Sequence, residues 1–131
     1  LVLLDHAEDN LFEIERELIE DRHALNTVSV FADCKEEERM REVFAEHQPT
    51  VVFHAAAYKH VGLMESNPIE AVRNNSLATR VMCRIAGETG VRAFILVSTD
   101  KAVAPATVMG ASKALAEWAV EAADARYPAT R

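Results

Sequence analysis

The chain has 131 residues, 50% hydrophobic and 27% charged, with a formal net charge of −7. These values fit one globular domain and exclude disordered, collagen-like and mucin-like chains; no apolar run approaches the roughly 20 residues of a membrane span. The charge is uneven: residues 1–47 hold 14 acidic and 5 basic side chains, residues 48–131 hold 7 and 9, so the first part repels phosphate backbones and no nucleic-acid partner is expected.

The elements follow in chain order. Residues 1–4 (LVLL) read as a strand ending at Asp5. Residues 10–20 carry Leu11, Ile14 and Leu18 at helical spacing, with Asp9 placed to cap them. Residues 27–31 (TVSVF) are strand-like, and residues 35–46 are helical with Met40, Val43 and Phe44 on one face. A third strand, 51–54, follows Pro49. Asn67 and Pro68 are an N-cap and a first-position proline, opening a helix to about Glu88 that Gly90 stops. Residues 92–98 read as a fourth strand, and 108–126 as the last helix.

Short strands alternating with helices predict an α/β fold, a Rossmann-like parallel sheet of about four βα units with helices on both faces. Ligands of such sheets bind beyond the carboxyl ends of the strands. That rule selects Asp5, Asp33, residues 55–60 and residues 98–101. Asp5 can bind the ribose hydroxyls of an adenosine or cap a helix. Asp33 with Cys34 can meet an adenine edge, with capping by Asp33 as the equal alternative. The small side chains of Ala55, Ala56 and Ala57 let a ligand or a helix approach the backbone. His54 and His60 have no third ligand at metal spacing, so no metal is expected. Cys34 and Cys83 lie far apart without a CxxC pattern, which suits a reducing, cytoplasmic compartment. The densest segment, ILVSTDKAVAPATVMGASK, delivers Ser98, Thr99, Asp100 and Lys101 at a strand end, where an adjacent acid and base can share proton transfer.

Taken together, VVFHAAAYKHVGLMESNPIEAVRNNSLATR and FILVSTDKAVAPATVMGASKALAE resemble the extended short-chain dehydrogenase/reductases, and within them the bacterial polysaccharide-biosynthesis nucleotide-sugar dehydratases of the CapD type. The resemblance covers nearly the whole chain. It implies a UDP-N-acetylglucosamine 4,6-dehydratase that uses NAD, oxidising C4, removing the C5 proton, expelling the C6 hydroxyl as water and returning the hydride to C6. It puts Thr99 in the hydroxyl place of the family triad, Asp100 as the acid at C6 and Lys101 as the base at C5. It puts Lys113 on the nicotinamide ribose, Asp5 on the adenosine ribose, Asp33 and Cys34 on the adenine, and Ala55 to Ala57 along the cofactor. Lys59, His60 and Asn75 fall on the substrate side, and Asn75, which matches the family's Asn in the following helix, can instead hold a water or a backbone near the catalytic helix.

Met109 stands four residues before Lys113, where most of the superfamily has Tyr. A thioether donates no proton and is only a weak acceptor. Relatives with Met there resemble this chain best and retain configuration at C5, so the resemblance leans to the retaining reaction; plain core packing is the other reading of Met109. Gly62, Ala104 and Thr107 depart from the residues usual in the family. The chain has four glycines and none before Gly62. The phosphate-cradling glycine turn is therefore expected on a βα unit before Leu1, and the sugar-binding part after Arg131.

Residues 1–131 are thus expected to be one partial NAD-binding domain of a longer protein. They would lack the central first strand, leaving a gap in the sheet and little NAD binding or activity alone. The longer protein is expected at the cytoplasm, on the inner membrane face if it carries an N-terminal membrane region, with an oligomer allowed. The rival readings are an inverting dehydratase, a 4-epimerase, which needs no Asp-Lys pair for elimination, and a non-catalytic dinucleotide-like binding module.

Overall fold

In a computed structural model of the chain, which describes residues 1–23 and 26–131, four short strands alternate with helices. Strand β1 (Val2–Asp5) pairs in parallel with β2 (Val28–Phe31), Val2 opposite Val28 and Asp5 opposite Phe31. Strand β3 (Val51–His54) pairs in parallel with β4 (Ala93–Leu96), Val51 opposite Ala93. Parallel pairing requires a crossover through a helix. Helix α1 (Glu8–Glu20) makes the first, packing on β1 and β2. Among the described residues no hydrogen-bonded pairing joins the two strand pairs, which matches the gap expected from the strand order. Residues 129–131 run beside β4, where Phe94 N donates to the Arg131 carbonyl at 2.7 Å and Arg131 N to that of Arg92 at 3.0 Å.

The main core forms where α2 (Glu37–His47) meets the long helical stretch Pro68–Thr89 and the strands. Met40, Val43 and Phe44 pack with Met82, Cys83, Ile85, Ala86, Val30 and Phe94, so the face expected on 35–46 is the buried one. The stripe expected on α1 is covered only in part, with Leu18 half-buried. Leu11 is buried, whereas Ile14 is exposed, because α1 finds only one narrow strand pair to cover. Asp9 does not cap α1 either. The helix starts at Glu8, and Asp5 Oδ1 accepts from Ala7 N at 2.8 Å.

The stretch from Pro68 is broken into α4 (Pro68–Ala71), a π turn (Val72–Leu77) and α5 (Ala78–Thr89), and Gly90 closes it in the left-handed region at φ 75°. Asn67 precedes Pro68 as expected, but its side chain donates to Leu63 O at 2.9 Å instead of capping. Two short elements complete the chain ahead of the final helix: α3 (Val61–Ser66) and a 3₁₀ turn (Asp100–Ala102). The last helix, α6 (Val108–Arg126), has the expected bounds. Its Met109 joins Met64 of α3 and Ala71 of α4 in a second apolar cluster.

Candidate active site

Three loops follow β1, β2 and β3, and the segment 97–107 follows β4. The β4 segment holds the candidate acid and base. Thr99 Oγ1 donates to Asp100 Oδ1 at 3.0 Å and accepts from Lys101 N at 3.4 Å. Lys101 Nζ stands 3.9 Å from Asp100 Oδ1, with side chains 54% and 91% exposed. So the three expected residues are in contact, on the surface and open to a ligand. The pair adds little to stability, as exposed ion pairs do.

Helix α6 grips this strand end at two successive residues. Lys113 Nζ donates to Val97 O at 2.7 Å, and Ser98 Oγ donates to the Glu117 carboxylate. Burial pushes the Lys113 pKa down, and Glu117 partly offsets it. Glu117 was outside the sequence reading. Its only sequence signal is the four-residue spacing from Lys113, which places both on one helix face. Gly110 permits the close approach of α6, because a Cβ there would overlap the Lys101 carbonyl oxygen. Thr107 caps the helix through Gly110 N at 3.0 Å, and the Glu65 carboxylate accepts from Val108 N at 2.7 Å.

The π turn backs this site. Its Asn74, Asn75 and Ser76 are all buried, and π turns often mark functional positions. Asn75 Oδ1 accepts from Tyr58 N at 2.7 Å, while its Nδ2 donates to Tyr58 O at 3.0 Å and Ser112 Oγ at 2.9 Å. The backbone-holding role open to Asn75 is the one its bonds to Tyr58 take. The side chain is fully buried and its amide is spent holding the loop after β3 against α6. Lys59 and His60, in contrast, are exposed next to Tyr58. Met109 is buried with Met64, Tyr58 and Val61, the arrangement that its core-packing reading describes.

His54 forms a further buried link. Thr79 Oγ1 donates to Asn75 O at 2.7 Å and therefore accepts from His54 Nε2 at 3.0 Å. That assigns the Nε2–H form. Burial, then the Lys113 charge, lowers the His54 pKa to about 4.

At the other strand pair, Asp5 is half-buried and spends Oδ1 on Ala7 N. Asp33 accepts from Lys35 N at 2.9 Å and pairs with Lys35 Nζ at 2.9 Å; it does not cap α2, which begins at Glu37. Cys34 is buried, and burial followed by the Asp33 charge pushes its thiol up to about 11, so Cys34 presents backbone to any ligand there. Ala55 and Ala56 are exposed at the end of β3 and Ala57 is partly so.

The sequence matches the polysaccharide biosynthesis protein family over residues 1–131. The chain belongs to this family. It is 44% identical over 122 residues to the capsular polysaccharide biosynthesis protein CapD of Staphylococcus aureus, covering 92% of this chain and 20% of CapD. Among solved structures it resembles Pen from Bacillus thuringiensis at a TM-score of 0.87 and 27% identity, covering 98% of this chain and 39% of Pen. It also resembles the UDP-glucose 4-epimerase of Bifidobacterium longum in complex with NAD+ and UDP, at a TM-score of 0.81 and 23% identity over 97% of this chain and 42% of that one. The chain thus spans a fifth of the curated relative it matches. The extended short-chain dehydrogenase/reductase family and the Rossmann-like fold expected from the motifs are both met.

Proposed function

We propose that the chain is the catalytic core of an NAD-dependent nucleotide-sugar 4,6-dehydratase acting on UDP-N-acetylglucosamine, with configuration at C5 retained, in bacterial surface-polysaccharide synthesis. The observation that carries this reading is the contact of Thr99, Asp100 and Lys101 at an exposed strand end that Lys113 and Glu117 hold from α6. Two adjacent titrating groups suit an elimination, which removes one proton and delivers another. An epimerase interconverts C4 alone and has no use for both.

The residues present fit NAD. Asp5 Oδ1 serves the loop backbone, leaving its second oxygen for the adenosine ribose, and Ala55 to Ala57 leave the β3 end open to a flat ligand. When bound, NAD supplies the two-electron oxidation at C4 and its reversal at C6. Asp33 with the Cys34 backbone would receive the adenine, and Lys113 the nicotinamide ribose. In this reading Lys101 takes the C5 proton and Asp100 gives a proton to the departing C6 hydroxyl. Thr99, bonded to Asp100, orients that carboxyl. Lys59 and His60 flank the sugar.

The test is incubation of the full-length protein with NAD and UDP-N-acetylglucosamine, followed by mass spectrometry and NMR of the nucleotide sugar. The expected product is the 4-keto-6-deoxy sugar. Conversion to the 4-epimer with no loss of water would replace this reading by the epimerase, and no conversion of any UDP-sugar, with NAD bound, would leave a binding module.

A further inference from the structure

The π turn is more than a backing for one loop. Lys35 Nζ, on the loop after β2, lies 2.9 Å from Asp33 Oδ2 and donates to Asn74 Oδ1 at 3.2 Å. Asn74 Nδ2 donates to Asn75 Oδ1 at 3.2 Å, Asn75 Nδ2 donates to Ser112 Oγ at 2.9 Å, and Ser112 Oγ donates to Met109 O at 2.7 Å. Ser76 Oγ adds a parallel bond to Ser112 O at 2.8 Å. The chain of bonds is unbroken from the β2 loop to the first turns of α6, passing through Ser112, which adjoins Lys113, and ending on the Met109 carbonyl.

Every donor in it points the same way, away from the Lys35 ammonium. That direction is imposed at its head. An ammonium has three donors and no acceptor, so it can face only the oxygen of the Asn74 amide. This turns Asn74 Nδ2 toward Asn75 and fixes the second amide in turn. Bonds aligned in this way polarise one another. The Tyr58 ring lies 5.7 Å from Lys35 Nζ, while the Tyr58 backbone is held by Asn75. Lys35 and Asn75 therefore hold the loop after β3 from two sides. Burial disfavours the Lys35 charge, but the Asp33 carboxylate more than compensates and its pKa is raised, so the head of the chain is a cation throughout the neutral range.

We propose that Lys35 is a positioning residue: through Asn74, Asn75 and Ser112 it sets the amide orientations that seat α6 and its Lys113, and so couples the loop that would receive the adenine to the candidate acid–base segment. This rests on the dehydratase reading for what the two ends do; the chain of bonds itself does not.

The test uses the full-length protein with asparagine labelled by nitrogen-15, comparing wild type, Lys35→Met and Lys35→Arg. The Asn75 side-chain amide resonances in the ligand-free protein report its bonding. They are expected to move in Lys35→Met and to return toward wild type in Lys35→Arg, which can still serve both Asp33 and Asn74. In steady-state assays Lys35→Met is expected to lower kcat about tenfold, the scale of one charge-assisted bond, with KM for the nucleotide sugar within about twofold. If Lys35→Met does not fold, Lys35→Gln gives the same readout without the charge. Asn75 resonances that stay in place in the Met or Gln variant overturn the proposal, as does a shift in them with kcat unchanged. Wild type that turns over no nucleotide sugar defeats the dehydratase reading alone, and the resonances still decide the bond chain.

Discussion

His54 makes the stability of this fold sensitive to mild acid. Its ring is buried, donates Nε2–H to Thr79 and lies near the Lys113 charge, so its pKa is about 4, against roughly 6.5 when unfolded. The sign follows from proton counting. As pH falls through 6.5 the unfolded imidazole takes up a proton while the folded one stays neutral until about 4. The contribution is therefore complete above about 6.5 and drains as pH drops. Between pH 7 and pH 4 the loss is about 3 kcal/mol. Asp33, Glu37 and Glu88, whose pKa values are also lowered, lose stability over acidic pH as well, so the comparison must be with a variant that keeps them. Urea unfolding of wild type and His54→Gln at pH 7, 5.5 and 4.5 isolates the histidine, since Gln retains a donor for Thr79 without titrating. Wild type is expected to be the steeper by up to about 2.4 kcal/mol across this range. Parallel slopes would refute the buried, neutral assignment.

Gly110→Ala should push α6 away from the Lys101 carbonyl it touches, costing about 1–3 kcal/mol as overpacking does and lowering kcat; denaturant unfolding and an activity assay check both. Asp5→Ala should weaken NAD binding about tenfold by removing a carboxylate from the ribose, read by calorimetric titration; unchanged affinity would remove Asp5 from the cofactor site. Glu117→Ala removes the partner of Ser98 and the charge that offsets the lowering of the Lys113 pKa. Its pH–rate profile should lose activity at a lower pH on the alkaline side than wild type, and coincident profiles would detach Glu117 from Lys113.

The parts of this structure that obey local rules were legible in the sequence. Helix α6 and β3 have the bounds expected from capping signals and β-rich runs, and Gly90 ends its helix because a left-handed residue is needed there. What tertiary contact decides was not legible. The π turn at Val72–Leu77 leaves no local pattern; it is stabilised by Asn74, Asn75 and Ser76 reaching partners on the β2 loop, the β3 loop and α6. The sequence leaves Asn75 open between contacting the substrate and holding backbone near the last helix, since nothing in a sequence says that both atoms of an amide are already satisfied. Ile14 shows the same limit, because helical spacing predicts a face but not how much sheet lies beneath it. The candidate acid–base segment was legible because three chemically distinct residues adjoin in the chain, so their contact needs no long-range placement.

The assignment of Lys101 and Asp100 as base and acid is tested most directly in deuterium oxide. Wild-type full-length protein, given NAD and UDP-N-acetylglucosamine, is expected to yield a 4-keto-6-deoxy product with deuterium at C5 and unchanged configuration there by NMR, and Lys101→Ala is expected to abolish both product and C5 exchange. Exchange at C5 that survives in Lys101→Ala, or a 4-epimer carrying no deuterium at C5, would contradict it.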